Sequence, residues 1–222
     1  MKQNPSTLVF DLDGTLIHSA PDLHAALNRM LDEAGRDALT LDAVIAMIGD
    51  GVPTLVARGF AATGGLPDDP SAWLARFDTF YSQDTATLTT LYPGVMDTLE
   101  TLKSAGHRMA ICTNKPIEAT KAVLRSFDLA RFFDAVAGGD SLPVRKPSPG
   151  HLLGVLAMMN AGPERAAMIG DSPADVATAL NAGVPVIAVA YGYRRIPAED
   201  LGADVLIENF SDISAALSSL GL

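Results

Sequence analysis

The sequence predicts an α/β fold, a doubly wound parallel sheet into which an all-helical domain is inserted. Three observations predict it. Short apolar runs rich in β-formers alternate with helical patterns over most of the chain, and strands apolar on both sides belong to a parallel sheet covered on both faces. One interval near the N-terminus breaks this alternation and reads as helix throughout. Acidic, hydroxyl and basic residues recur just after the apolar runs, at the strand ends where open α/β sheets bind ligands.

Strands are expected at 7–11, 108–113, 135–137, 166–170 and 186–189, with a sixth at 204–207. Helices are expected between them at 95–105, 116–127, 149–159 and 173–182. Proline suits a first helical position, which places Pro116 and Pro173 there. Gly106 and Gly183 suit helix stops. Between His18 and about Leu91 no strand is expected. Leu23, Ala26, Leu27, Met30, Leu31 and Ala34 keep helical spacing, and 41–48, 52–62 and 71–85 also read as helices. Such a block is too long for an ordinary crossover. It is therefore assigned to an inserted helical domain, 18–90, with 1–17 and 91–222 forming the sheet domain.

Composition narrows the classes of function. A chain of 222 residues, 48% apolar, can bury a large core and is not disordered. No apolar run reaches the roughly 18 residues a membrane span needs. Met1-Lys2-Gln3-Asn4-Pro5 leads straight into an apolar run without a cleavage-site pattern, so no signal peptide is expected. The single cysteine, Cys112, excludes an intrachain disulfide framework and reads as a small core residue. A cytoplasmic location is expected, with no membrane partner. The net charge of −10 argues against nucleic acid, since the basic residues cluster only in the short pairs Arg145-Lys146 and Arg194-Arg195. A protein this acidic binds an anionic substrate only by concentrating positive charge locally, through a metal ion or a helix N-terminus.

Four strand ends carry candidate chemistry. Asp11-Leu12-Asp13-Gly14-Thr15 places two carboxylates on one side of an extended chain, ahead of a glycine that permits a sharp turn. Two such carboxylates need a cation or a shared proton, which suits a hard metal ion or a nucleophile beside a general acid. The plainer alternative is a solvated Asp-Gly turn. Thr113-Asn114-Lys115-Pro116 precedes a helix, and the Thr113 hydroxyl and Asn114 amide either cup a phosphate oxygen or simply cap the helix. Arg145-Lys146-Pro147-Ser148-Pro149 either fixes Lys146 as a point charge over a phosphate or is a solvated basic loop. Asp171 ends a strand and Asp175 follows one helical turn on; acids also cap helices without any catalytic role. Four independent capping accidents at the same edge of one sheet are a poor explanation of this set.

At these clusters the sequence resembles the phosphatase branch of the haloacid dehalogenase superfamily. Asp11–Thr15 matches the first motif, Thr113 the second, Lys146 the third, and Asp171 with Asp175 the acidic fourth, in the family's order and over nearly the whole chain. Ser19-Ala20-Pro21-Asp22-Leu23, Ile48-Gly49-Asp50-Gly51-Val52-Pro53, Gly139-Asp140-Ser141-Leu142-Pro143 and Arg145-Lys146-Pro147 look more specifically like bacterial phosphoglycolate phosphatases. His18 departs from the aspartate expected in many relatives.

The resemblance implies a Rossmann-like core of strand order 3-2-1-4-5 and a mobile helical cap that closes over the site. It implies a Mg²⁺-dependent phosphatase of a small anionic phosphate monoester, 2-phosphoglycolate first, working as a monomer or homodimer. Asp11 would be the nucleophile, forming a phosphoaspartate, and Asp13 the general acid and base. Asp11, the Asp13 main-chain carbonyl and Asp171 would hold Mg²⁺. Thr113, Asn114 and Lys146 would stabilise the transferring phosphoryl group. Asp175 would orient Lys146 or a metal-bound water. The cap has no lysine, so its cations are Arg29, Arg36, Arg58, Arg76, His18 and His24. Arg58 follows the Gly49-Asp50-Gly51 turn by two helical turns. It is either the partner of a substrate carboxylate or a solvated helix residue, and Gly51 would let backbone approach a small ligand.

Rival chemistries are weighed on the same residues. Dehalogenases of the superfamily lack the acid that Asp13 supplies, and phosphonate hydrolysis needs a cap lysine. Sugar phosphomutases usually carry Val or Ile where Thr15 stands. A sugar phosphomutase, phosphatases of other small, sugar or amino-sugar phosphates and a pyrophosphatase remain as alternatives. A non-enzymatic binding protein is disfavoured by the intact set Asp11, Asp13, Lys146 and Asp171.

Overall fold

Every residue of the first strand, β1 (Thr7–Phe10), is buried, because the strand lies in the middle of a sheet covered on both faces. The computed structural model describes residues 5–193 and 195–222. The N-terminal reading of Met1 to Asn4 and the Arg194 half of the second basic pair therefore lie outside the described residues.

The chain continues through β2 (Ile17–His18) and four helices, α1 (Ala20–Glu33), α2 (Leu41–Ile45), α3 (Val52–Ala62) and α4 (Pro70–Gln83). It then alternates: β3 (Thr90–Leu91), α5 (Val95–Ser104), β4 (Arg108–Cys112), α6 (Ile117–Ser126), β5 (Ala135–Ala137), α7 (Pro149–Met158) and β6 (Ala166–Gly170). The last elements are α8 (Pro173–Ala182), β7 (Val186–Val189), β8 (Val205–Ile207) and α9 (Ile213–Ser219). The main sheet has the order β5-β4-β1-β6-β7-β8, parallel throughout. Counted as core strands this is the expected 3-2-1-4-5, extended by the sixth strand.

The period-2 alternation of a strand sorts the core onto two faces. Leu8 and Phe10 pack with Met109, Ile111 and Ile169 against α5, α6 and α9. Val9 packs with Ala110, Cys112 and Met168 against α7 and α8. Burying one such large side chain contributes roughly 1.5–3 kcal/mol, so each strand is pinned in register from both sides. Burial also pushes the Cys112 thiol up to about 12, in keeping with an inert core residue.

The helices α1 to α4 pack around a third apolar cluster that includes Leu27, Met30, Leu31, Val56, Phe60 and Phe77. Gly59 makes this possible where α3 meets α1, since a Cβ there would stand 3.0 Å from Leu27 Cδ1. Buried Asp22 closes the block by accepting from the N–H groups of Leu88 and Thr89 and from the Thr89 hydroxyl.

Three local expectations are corrected. Pro116 precedes α6 as its capping residue rather than opening it, because Thr120 N–H already closes the first turn on the Pro116 carbonyl. The segment expected to be helical over 41–48 stops at Ile45. The interval expected to hold no strand is bounded by a two-residue antiparallel ribbon, Ile17 opposite Leu91 and His18 opposite Thr90. Pairs this short carry no periodic signal in sequence. No helix among the described residues is long and apolar enough to cross a membrane.

Candidate active site

Parallel strands in register bring their C-terminal ends to one edge. Phe10 stands level with Ile111 on one side and Ile169 on the other. The first residues past these strands, Asp11 after β1, Thr113 after β4 and Asp171 after β6, converge where the strand order reverses. Lys146 arrives from the loop between β5 and α7, and Asp175 from the first turn of α8.

Lys146 lies between two of the acids. Its Nζ is 2.8 Å from Asp11 Oδ1 and 2.6 Å from Asp175 Oδ1. The Asp11 contact is an ion pair, and apart from this ammonium buried Asp11 Oδ1 has no partner among the described residues. Asp175 is fully committed. Its second oxygen accepts from the N–H groups of Asp171 and Ser172 and from the Ser172 hydroxyl, which caps α8 in return. This geometry favours Asp175 as the group that orients Lys146.

Asp171 is 1% exposed. It accepts from the Thr15 hydroxyl at 2.7 Å and from the Tyr193 N–H at 2.7 Å. Two glycines let backbone close around it. A Cβ on Gly14, whose φ is +91°, would stand 2.3 Å from Asp171 Oδ2, and one on Gly192 would stand 2.2 Å from Asp171 Cβ.

Carboxylate oxygens of Asp11, Asp171 and Asp175 lie within 4.8 Å of one another. Burial, then the neighbouring charges of Asp175 and Asp11, push the Asp171 carboxyl well above the usual range. Burial likewise raises Asp11, against the opposing pull of Lys146, to about 6. Three crowded acids facing one ammonium leave negative charge in excess. All the donors are hard oxygens, so the set fits a hard divalent cation.

Asp13 is held apart from this group. Lys115 Nζ lies 3.0 Å from both of its carboxylate oxygens, and the Ser19 hydroxyl donates to Oδ1 at 2.6 Å. Lys115 also donates to the Tyr81 hydroxyl on α4 at 2.6 Å. Burial alone would lower the Lys115 ammonium, but Asp13 and then Tyr81 outweigh it and hold it above the ordinary lysine value.

A cavity opens beside these groups. Asp11, Asp13, Thr113, Asn114 and Lys115 line it from the sheet side, and Leu23, Ile48, Gly49, Gly51, Val52, Leu55 and Tyr81 from the helical block. The Asn114 side-chain amide ties the two sides together by donating to the Gly49 and Lys146 carbonyls. Gly51 is among the residues lining this cavity. Arg58 does not line this cavity: its guanidinium is 2.6 Å from Asp50 and 2.8 Å from the Met47 carbonyl. Arg195 donates to the same Asp50 oxygen.

A family model described as haloacid dehalogenase-like hydrolase matches residues 5–183. The chain belongs to the haloacid dehalogenase-like hydrolases. This hydrolase is 42% identical over 215 residues to a phosphoglycolate phosphatase of Cereibacter sphaeroides, covering 96% of this chain and 98% of that one. A crystal structure of a predicted phosphoglycolate phosphatase from Haemophilus somnus superposes with a TM-score of 0.91 at 30% identity, over 96% of this chain and 98% of that one. CbbY from Rhodobacter sphaeroides, solved in complex with phosphate, superposes with a TM-score of 0.81 at 26% identity, over 95% and 96% of the chains. Membership of the family and near-full-length likeness to these relatives make the chain a phosphoric monoester hydrolase.

Sequence reasoning did not assign Lys115, Tyr81, Ser19 or Tyr193 to the hydrolase's site. Tyr81 follows Phe77 by one helical turn, a spacing that reads as core. Lys115 directly follows the second-motif residues, and that adjacency was the one available signal.

Proposed function

We propose that this phosphatase hydrolyses 2-phosphoglycolate to glycolate and phosphate through a phosphoaspartate on Asp11, with Mg²⁺ bound. The observation that carries the reaction is the placing of Asp11, whose buried Oδ1 meets only the Lys146 ammonium and whose carboxylate comes within 4.8 Å of those of Asp171 and Asp175. The likeness to phosphatases of that name supports the substrate.

Asp11, the main-chain carbonyl of Asp13 and Asp171 would hold the cation. When bound it supplies a Lewis acid for the phosphoryl oxygens and offsets the crowded carboxylates. Asp11 attacks phosphorus in line, and the bond from phosphorus to the leaving oxygen breaks. Asp13 gives that oxygen a proton, then takes one from the water that cleaves the phosphoaspartate. Lys146, held by Asp175, meets the phosphoryl charge together with the Thr113 hydroxyl. Since the Asn114 side chain is engaged elsewhere, its main-chain N–H is the donor left for the phosphate.

Residues 18–90 form the cap in this reading and the remainder the core. Their own apolar cluster, joined from the core by Tyr193, and the ribbon at both crossing points support that division. Closure excludes water from the cavity and brings Gly51 and its neighbours onto the leaving group.

Phosphate release over a panel of monoesters, with Mg²⁺ and after EDTA, tests the proposal. The expected result is Mg²⁺-restored turnover with 2-phosphoglycolate preferred. Preference for a sugar or amino-sugar phosphate would overturn the substrate, and metal-independent turnover the mechanism.

A further inference from the structure

We propose that Lys115 and Tyr81 form a subsite for the substrate's second anionic group, a carboxylate, beside Asp13 and beneath the helical block. The inference rests on the phosphatase reading above and names what recognises the leaving group.

The phosphate is already provided for by Lys146, Thr113 and the strand-end cluster. A second anion entering the cavity meets the apolar wall of Leu23, Ile48, Val52 and Leu55, and a charge left unpaired there would be costly. Among the described lining residues Lys115 is the one cation. Its side chain is 2% exposed and held from both sides, so its ammonium is pre-placed rather than mobile. Arg58, the cation expected from sequence, is engaged with Asp50 and Met47 outside the cavity.

Tyr81 supplies a second donor. An ammonium can only donate, so the Tyr81 hydroxyl accepts from Lys115 and keeps its own proton. Among the described residues that proton has no acceptor. Asp13 already shows a carboxylate seated on Lys115. When Lys115 turns part of its grip to an incoming carboxylate, Asp13 keeps the Ser19 hydroxyl. The distances also agree. Asp13 adjoins the leaving oxygen, and in a two-carbon ester the carboxylate carbon lies two bonds beyond that oxygen. A group touching Asp13 is therefore where the carboxylate arrives.

Two isosteres that cannot be hydrolysed test the subsite. In 3-phosphonopropionate a methylene replaces the bridging oxygen of 2-phosphoglycolate, and propylphosphonate carries a methyl group in place of the carboxylate. Their affinities would be measured by calorimetry for the wild type, Lys115→Met and Tyr81→Phe, with Mg²⁺ present. The wild type should prefer the carboxylated ligand by about thirtyfold or more. That ratio should fall about tenfold in Lys115→Met and about threefold in Tyr81→Phe, in keeping with lost charged and neutral hydrogen bonds. A wild-type ratio near one overturns the subsite. So does an unchanged ratio in the variants while both affinities fall together, which would leave Lys115 only as the partner of Asp13. If Lys115→Met does not fold, an unchanged ratio in Tyr81→Phe is sufficient to overturn it. Because neither ligand turns over, a lack of phosphate release from 2-phosphoglycolate would overturn the reaction without touching this result.

Discussion

The ammonium of Lys146 lies 2.8 Å from Oδ1 of Asp11, with only 1% and 9% of the two side chains exposed. Solvent screens such a pair weakly, so removing one partner or the other has different consequences. Asp11→Asn leaves Lys146 still paired with Asp175. The variant should fold, with a circular dichroism spectrum like the wild type, while turnover drops below about a hundredth. Lys146→Met leaves Asp11, Asp171 and Asp175 crowded without a cation. In metal-free buffer it should lose about 3–5 kcal/mol of stability in urea unfolding. Equal stability of the two variants would contradict this arrangement.

Asp13→Asn is expected to fail selectively. An alkoxide leaves poorly without a proton donor, whereas an aryloxide needs one less. The loss on an alkyl ester should exceed that on p-nitrophenyl phosphate, within the roughly 10²–10⁴-fold span of general acid catalysis. Parallel losses on both esters would remove Asp13 from the acid role.

Gly192→Ala places a methyl 2.2 Å from Asp171 Cβ. Gly192 lies outside the strained left-handed region, so the effect should be steric. Overpacking of this kind costs typically about 1–3 kcal/mol. Asp171 would also move, so the Mg²⁺ concentration for half-maximal activity should rise along with the fall in Tm. A variant with unchanged metal dependence would show that Asp171 does not depend on this contact.

Arg58→Ala removes the guanidinium that, with Arg195, holds Asp50 in the Gly49–Gly51 loop. The geometry leads us to expect a similar decline in kcat/KM on phosphate esters with and without a carboxylate. A decline confined to the carboxylated ester would return Arg58 to the recognition role that the sequence suggested.

His151 makes stability depend on pH. Its Nε2–H faces the Gly138 carbonyl at 3.2 Å, while buried Nδ1 has no partner. Burial and then the Lys146 charge lower the ring from 6.5 to about 4. The unfolded chain therefore binds more protons between these values. The contribution of the neutral ring is whole above pH 6.5 and is lost as pH falls towards 4. His151→Gln keeps a donor for Gly138 and cannot titrate, so its Tm should fall less than that of the wild type between pH 7 and pH 5. Identical declines would assign the acid sensitivity to the carboxylates.

The sequence by itself determined the sheet and the residues that gather at its C-terminal edge. Apolar runs with turn signals locate β1, β4, β5, β6 and β7 to within a residue, because a strand buried on both faces tolerates little else. Asp11, Thr113 and Asp171 were legible as neighbours because each lies just beyond a strand end, and parallel strands bring those ends together whatever the loops do, whereas Lys146, in the long loop between β5 and α7, was legible only through the motif it matches. Only the tertiary structure decided the rest. The contact from Lys115 to Asp13 spans 102 residues, and the contact from Lys115 to Tyr81 joins two elements separated by 34 residues. Local periodicity carries no record of such pairs, since it reports which face of a helix is buried and not what lies against it. Arg58 shows the converse: its place two turns after a glycine loop suggested a ligand, and the fold gave its charge to Asp50. Where a side chain points once two elements pack is set by their mutual placement, and that placement exists only in the folded chain.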